Sequence, residues 1–354
     1  MQKRMLLAFL AIGALMFAAS DSYAQGVLNL PRASQHALVT QRVGITDISI
    51  NYSRPLVNNR QIWGKLVPYG QVWRAGANEN TTIEFTDPVT IDGKLLPKGV
   101  YGLHMIPGES EWTVIFSKAA TAWGSFSYKQ DEDALRVAAK PQPGEFREAL
   151  TYDFADVKPD STLVTMRWEK VAVPFKVSVA VNDVVQSDLK SQLRGLPQYT
   201  WQSWDEAANY LLTSKVNLPQ ALDYANHSIQ VESRFDNLLI KSQVLDAMSK
   251  KDEAQAVRAK ALESANAIQL HSYARQLQFQ GQKDQALELF RTNVKKFPNE
   301  WITHSDAARL ACAKGDFDNA VKEMRVAATE APDIYKSAFS NLVRRLEAKE
   351  DINQ

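Results

Sequence analysis

Two sets of side chains in this 354-residue sequence have the types and spacing to do chemistry. The first lies between Tyr52 and Thr81. There Arg54, Arg60, Trp63, Tyr69, Trp73, Arg74, Asn78 and Glu79 crowd into turns marked by Gly64, Gly70 and Gly76. Guanidinium groups grip carboxylates through two parallel bonds and indoles offer stacking area, so such a loop cluster suits a carboxylate-bearing, sugar or peptide ligand. The same residues also make a framework. Trp63, Tyr69 and Trp73 can plug the end of a sheet sandwich, an arginine can pair with Glu79, and Asn78 and Asn80 can satisfy loop backbone. The framework use is favoured, because tryptophan and arginine are ordinary interior packing in a domain without disulfides. The second set is Arg275 and Arg309, 34 residues apart (309−275), with His271 and Ser305 one helical turn before each.

Motifs of the established catalytic kinds are absent. The five histidines, His36, His104, His227, His271 and His304, are scattered, and none forms an HExxH pair. No GxSxG elbow, Walker-type loop or GxGxxG is present. A Ser-His-Asp triad could assemble only from distant residues, and no spacing points to one. His104, beside Val100, Gly102 and Ile106, is expected at a strand edge or partly exposed. No catalytic residue, metal ligand or cofactor is therefore assigned.

The chain opens with Lys3 and Arg4, an apolar run from Met5 to Ala19, and Ser22-Tyr23-Ala24 before Gln25. This is the pattern of a secretory leader over residues 1–24. No later apolar run has the length of a membrane span. The expected mature protein is exported, soluble, and periplasmic or extracellular. Lys+Arg total 41 and Asp+Glu 40, and removing Lys3, Arg4 and Asp21 leaves 39 of each (41−2 and 40−1). A zero balance supports neither a nucleic-acid nor an anionic-membrane partner. Cys312 is the only cysteine, in the small-residue run AARLACAKG, and reads as a buried structural thiol.

Two kinds of element must position these residues. From residue 25 to 181 the pattern is β: Ile48, Ile50 and Tyr52 alternate, as do Trp112, Val114 and Phe116, and Phe175, Val177, Val179 and Val181. Asp92-Gly93 is a two-residue hairpin signal. Eight to ten short strands, with ALTYDF, TLVTMRWEK and VPFKVSVAV read separately, make an antiparallel sandwich or partly open barrel. Residues 182–199 read as a connecting helix ending at Gly195 and Pro197. From 200 to 350 the period becomes helical and the chain repeats: Ala221, Ala254, Ala286 and Ala320 fall 33, 32 and 34 residues apart (254−221, 286−254, 320−286). Gly281 and Gly315 are 34 apart, as are Pro298 and Pro332 (315−281, 332−298). Lys215 and Ser249 stand near the glycine position of the first two units, and SAFSNLVRRLEAKE reads as a cap with Phe339 and Leu342 inward.

Two resemblances follow from these motifs. The strings Tyr52-Ser53-Arg54-Pro55, Ile62-Trp63-Gly64, Leu66-Val67-Pro68-Tyr69-Gly70, Val72-Trp73-Arg74 and Gly76-Ala77-Asn78-Glu79 closely resemble an exported bacterial β domain, domain-of-unknown-function family 2911. LPKGVYGLHMIPGESEWTVIFSK and WGSF fit the same pattern. That resemblance implies no activity and no assigned site. The 34-residue period resembles a tetratricopeptide array of antiparallel helix pairs. In that family the first helix of each pair lines a groove. The resemblance thus implies that His271, Arg275, Ser305 and Arg309 face one groove able to seat an acidic peptide or C-terminal carboxylate, the alternative being two solvated arginines.

Together these features describe an exported, non-catalytic scaffold or binding protein whose repeats hold a protein or peptide partner. A second reading is a small-ligand or glycan-binding β module supported by the repeats, and an envelope hydrolase ranks last. An uncovered concave face would also allow self-association.

Overall fold

The computed structural model describes residues 30–353, so the leader read over residues 1–24 lies outside the described residues. The chain divides into two compact units between Val184 and Val185.

The first unit contains strands β1 (Gln35–Val43), β2 (Thr46–Arg54), β3 (Thr82–Phe85), β4 (Val89–Ile91), β5 (Lys94–Leu96), β6 (Gly99–Ile106), β7 (Trp112–Ser117), β8 (Asp133–Ala139), β9 (Gln142–Lys158) and β10 (Ser161–Ser178). They form a six-stranded sheet, β1-β2-β3-β6-β7-β8, and a four-stranded sheet, β5-β4-β10-β9. All paired strands within the sheets run antiparallel. The alternation dictates the packing: Ile48, Ile50 and Tyr52 from one sheet and Val164, Met166, Trp168 and Phe175 from the other join one buried core. The arrangement is an open sandwich and not a closed barrel. Asp92 and Gly93, with φ of 47° and 83°, make the tight β4–β5 turn whose both central residues need positive φ.

Strand boundaries differ from the sequence expectation: ALTYDF lies within the 17-residue β9, and the strand expected to reach Val181 ends at Ser178. TLVTMRWEK and VPFKVS form the single 18-residue β10. Its ladder to β9 ends at Ala172 and its ladder to β4 starts at Val177. Pro174 falls between the two ladders, where its missing N–H interrupts neither.

In the second unit a connecting helix, α1 (Val181–Gln192, begun in the first unit), precedes four hairpins. Their first helices are α2 (Trp201–Thr213), α4 (Phe235–Ala247), α6 (Ala267–Phe279) and α8 (Trp301–Ala313), each of 13 residues. Their second helices are α3 (Leu218–Val231), α5 (Lys251–Ser264), α7 (Lys283–Lys296) and α9 (Phe317–Glu330), each of 14 residues. A cap helix, α10 (Asp333–Glu347), follows. Ala221, Ala254, Ala286 and Ala320 are all fully buried, so the recurring small side chain marks where paired helices approach.

Every first helix ends in the same turn. Lys215, Ser249, Gly281 and Gly315 are left-handed, with φ of 55°, 63°, 78° and 76°. Each donates its N–H to the carbonyl three residues back, and the next residue donates to the carbonyl five back. Lys349 repeats the turn after α10. These are Schellman ends, and a side chain in that conformation costs about 1–2 kcal/mol. Ser249→Gly is therefore expected to stabilise the helical unit by about 0.5–1 kcal/mol, the strain removed less the chain entropy that glycine adds. Urea denaturation should show a raised midpoint with an unchanged slope; a lowered midpoint would contradict the shared turn.

Candidate functional site

The β-unit residues singled out from sequence divide among several structural tasks. Trp63 and Trp73 join Trp112 and Trp168 in a cluster. Trp63 stands edge-on to the other three, with centroids 4.9 to 5.9 Å away, and Trp73 stacks on Trp168 at 5.8 Å. The Trp73 indole N–H donates to Gly76 O at 3.1 Å, and its backbone exchanges two 2.8 Å bonds with Met105. Arg54 donates to Leu150 O at 2.9 Å and to Thr151 Oγ1 at 3.0 Å, tying β2 to β9. Arg60 folds back on Val57 O and Leu56 O of its own loop. Asn78 donates to Ser34 O at 3.0 Å, and Glu79 pairs with Arg32, not with Arg54, Arg60 or Arg74. Tyr69 lies over Gly64, 43% exposed.

Most of the cluster is thus framework. Arg74 is the exception: half-buried, it makes no hydrogen bond or ion pair among the described residues, and burial lowers its proton affinity. His104 also departs from expectation. It is 2% exposed and not at an edge: β6 lies between β3 and β7, and the loop over residues 118–129 folds across the ring, where Ser125 Oγ meets its Nδ1 at 2.9 Å. Burial depresses its pKa to about 4, so the ring is neutral at physiological pH.

In the helical unit the four predicted groove residues do share one region, but not an open one. Ser305 is fully buried and Arg309 only 4% exposed. The covering element is the chain's own segment Glu350–Asn353. Arg309 Nη1 donates to Ile352 O, and Arg345 Nη2 donates to Asp351 O at 3.1 Å. Asn353 Nδ2 donates to Arg309 O at 3.0 Å, and Gln278 Nε2 donates to Asn353 Oδ1 at 2.8 Å. Ile352 is buried among the apolar residues of α8 and α10. Cys312, buried as expected, lies with its Sγ 3.5 Å from Asp351 Oδ1, and burial raises its pKa, leaving an inert thiol.

Beside this seat His271, Ser272, Arg275, Gln276, Phe279 and Gln280 line an open depression of about 570 Å³. Arg275 lies 4.7 Å over the Phe279 ring, which is 76% exposed, and Arg275 Nη1 donates to Gln278 Oε1. Gln278 therefore joins the depression to the segment's seat. The electrostatics are one-sided. Burial first, and then the Arg275 charge, lower the Arg309 pKa to about 9; Arg275 is lowered by burial and by Arg345. Asp306 offsets both, but His271 Nδ1 and Asn293 Nδ2 already donate to it, the latter at 2.6 Å. Asp306, Asn293, Gln278, Phe279 and Arg345 were not singled out from sequence; the i, i+3 spacing of Asp306 and Arg309 on one helix is a signal that could have found the first.

Fold and site define a two-unit chain, an antiparallel sandwich followed by a helical-hairpin array. Among the described residues no cluster of His, Cys, Asp and Glu could hold a metal ion, and no helix is long and apolar enough to cross a membrane. Residues 34–177 match a family described as "Protein of unknown function (DUF2911)". No curated protein matches. Solved structures do match, among them one described as "Crystal structure of YrrB: a TPR protein with an unusual peptide-binding site". Its identity to this chain is 14%, over 47% of this chain and 86% of that one, with a TM-score of 0.26.

Proposed function

We propose that this chain is an exported, non-catalytic binding protein whose helical unit, built as tetratricopeptide-like hairpins, holds an acidic peptide segment of a partner protein. One observation carries the reading: the face made by α6, α8 and α10 already holds the segment Glu350–Asn353, partly by its main chain. Arg309 and Arg345 donate to the backbone carbonyls of Ile352 and Asp351, the mode by which grooves grip peptides without regard to most side chains, and the segment's own Asn353 side chain donates back to Arg309 O. The segment is acidic, with Glu350 paired to Arg345 at 3.0 Å and Asp351 beside Cys312. The adjoining depression offers an exposed aromatic ring and a guanidinium group, the residue types that dominate binding energy at interfaces.

The test is a selection of the full-length protein against random peptides of equal length. Acidic sequences should be enriched, and Arg275→Glu should abolish the enrichment while the thermal midpoint stays within about 3 °C of the parent, because the one hydrogen bond of Arg275 is part-buried and stays within its own helix, to Gln278. Enrichment that survives Arg275→Glu, or none at all, would contradict the proposal.

A further inference from the structure

The inner face of the six-stranded sheet belongs to the core; its outer face over β6, β7 and β8 does not. Across that outer face His104, Ile115 and Arg136 lie directly opposite one another. Trp73 pairs antiparallel with Met105, which sets Arg74 opposite His104 on the same side. The 118–129 loop is tied down over this row at several points. Asn80 Nδ2 donates to Ala119 O at 3.1 Å and Ala120 O at 3.3 Å, and Tyr128 OH donates to Asp133 Oδ2 at 2.7 Å. The Tyr128 ring packs 5.4 Å from that of His104.

The tip of this loop is different. Gly124, at φ of 68°, stands between Trp123 and Phe126, whose rings stack at 5.9 Å while 60% and 82% exposed. A side chain at Gly124 would meet both Phe126 and Arg74 Nη1 at 3.4 Å, so the guanidinium lies directly beneath the tip. Arg136, by contrast, is held by Asp133 and Tyr128. Arg74 has no such partner, its Nε is buried without an acceptor, and Asn80 Oδ1 is buried without a donor. A half-buried guanidinium with no counter-charge is costly to keep, and an oxyanion beside it relieves that cost. Exposed stacked rings at the same place supply a flat apolar surface.

We propose that Arg74, Trp123 and Phe126 form a binding site for a small carboxylate with a flat face, an aromatic acid or an acidic sugar, with the carboxylate on Arg74 and the flat face on the loop-tip rings. The site is separate from the peptide-holding face of the helical unit and stands whether or not that reading holds. Ring faces of both ligand kinds satisfy the stacking surface, and the bidentate geometry of arginine selects the planar carboxylate over a neutral group.

The test follows the Trp123 indole N–H signal of the nitrogen-15-labelled full chain, assigned with Trp123→Phe. The probes are benzoate, indole-3-acetate, glucuronate and inorganic phosphate, with benzamide and glucose as neutral counterparts. At least one carboxylate should shift the signal saturably below about 20 mM, and Arg74→Gln should weaken it at least about tenfold while Arg74→Lys retains part. Response to benzoate or indole-3-acetate alone assigns an aromatic acid, and response to glucuronate alone an acidic sugar. Three results would overturn the proposal: no carboxylate response up to that concentration, equal shifts by carboxylates and their neutral counterparts, or shifts that persist in Arg74→Gln. Phe126→Ala, which alters only an exposed ring, separates loss of the platform from loss of the fold.

Discussion

Asp306→Ala destabilises the helical unit by about 3–5 kcal/mol, the cost of removing one member of a buried charged network. Asp306 is fully buried on α8 and accepts from His271 on α6 and Asn293 on α7, so three helices meet at one carboxylate. Asn293 also donates to Ala267 O at 2.8 Å, which fixes the amide that faces Asp306. Alanine would orphan those donors and leave the buried Arg309 without its negative neighbour. Asp306→Asn keeps one of the two acceptor oxygens but loses the charge and the other acceptor, so its cost falls between parent and alanine. Urea unfolding followed by circular dichroism measures both; a loss under about 1 kcal/mol for alanine would show that the network is not what joins these hairpins.

Trp73→Ala destabilises the β unit by about 3 kcal/mol or more, as expected for emptying an aromatic site in a packed cluster. The substitution removes the ring stacked on Trp168 and the bond to Gly76 O, and it opens space beside Trp63. Arg74→Gln, one residue away, changes stability by less than about 0.5 kcal/mol, because no bond of Arg74 is lost. The pair separates framework from site within one dipeptide. A stable Trp73→Ala protein would overturn the assignment of the tryptophans to the core.

Much of the architecture was legible because it rests on local periodicity. Ile48, Ile50 and Tyr52 alternate in sequence and are all buried, and the four recurring alanines are each fully enclosed. Asp92-Gly93 announced its turn because few other dipeptides tolerate positive φ twice in succession. What stayed hidden depends on residues far apart in the chain. His104 is enclosed by a loop whose path no strand pattern encodes, and Asp306 gains its meaning only when α6 and α7 deliver His271 and Asn293 to it. Glu350–Asn353 lacks any periodicity; its seat exists only once α6, α8 and α10 have assembled, so whether the groove is open or filled was not legible in the sequence.

In the proposed function a face of the helical unit grips an acidic peptide, and Glu350–Asn353 is its tethered occupant. The most direct measurement is fluorescence anisotropy of a labelled peptide, Lys-Glu-Asp-Ile-Asn-Gln, titrated with the full chain and with a variant ending at Lys349. A tethered ligand competes at an effective concentration near millimolar, so the shortened variant should bind at least about tenfold more tightly than the full chain. Because Ile352 is buried, circular dichroism must show the shortened variant folded, and Ile352→Ser in the full chain provides a second way to loosen the segment. Saturable binding that appears on shortening and is lost with Arg275→Glu is the predicted result. Equal affinity for the full and shortened chains, or no binding by a folded shortened variant and by Ile352→Ser, would contradict it.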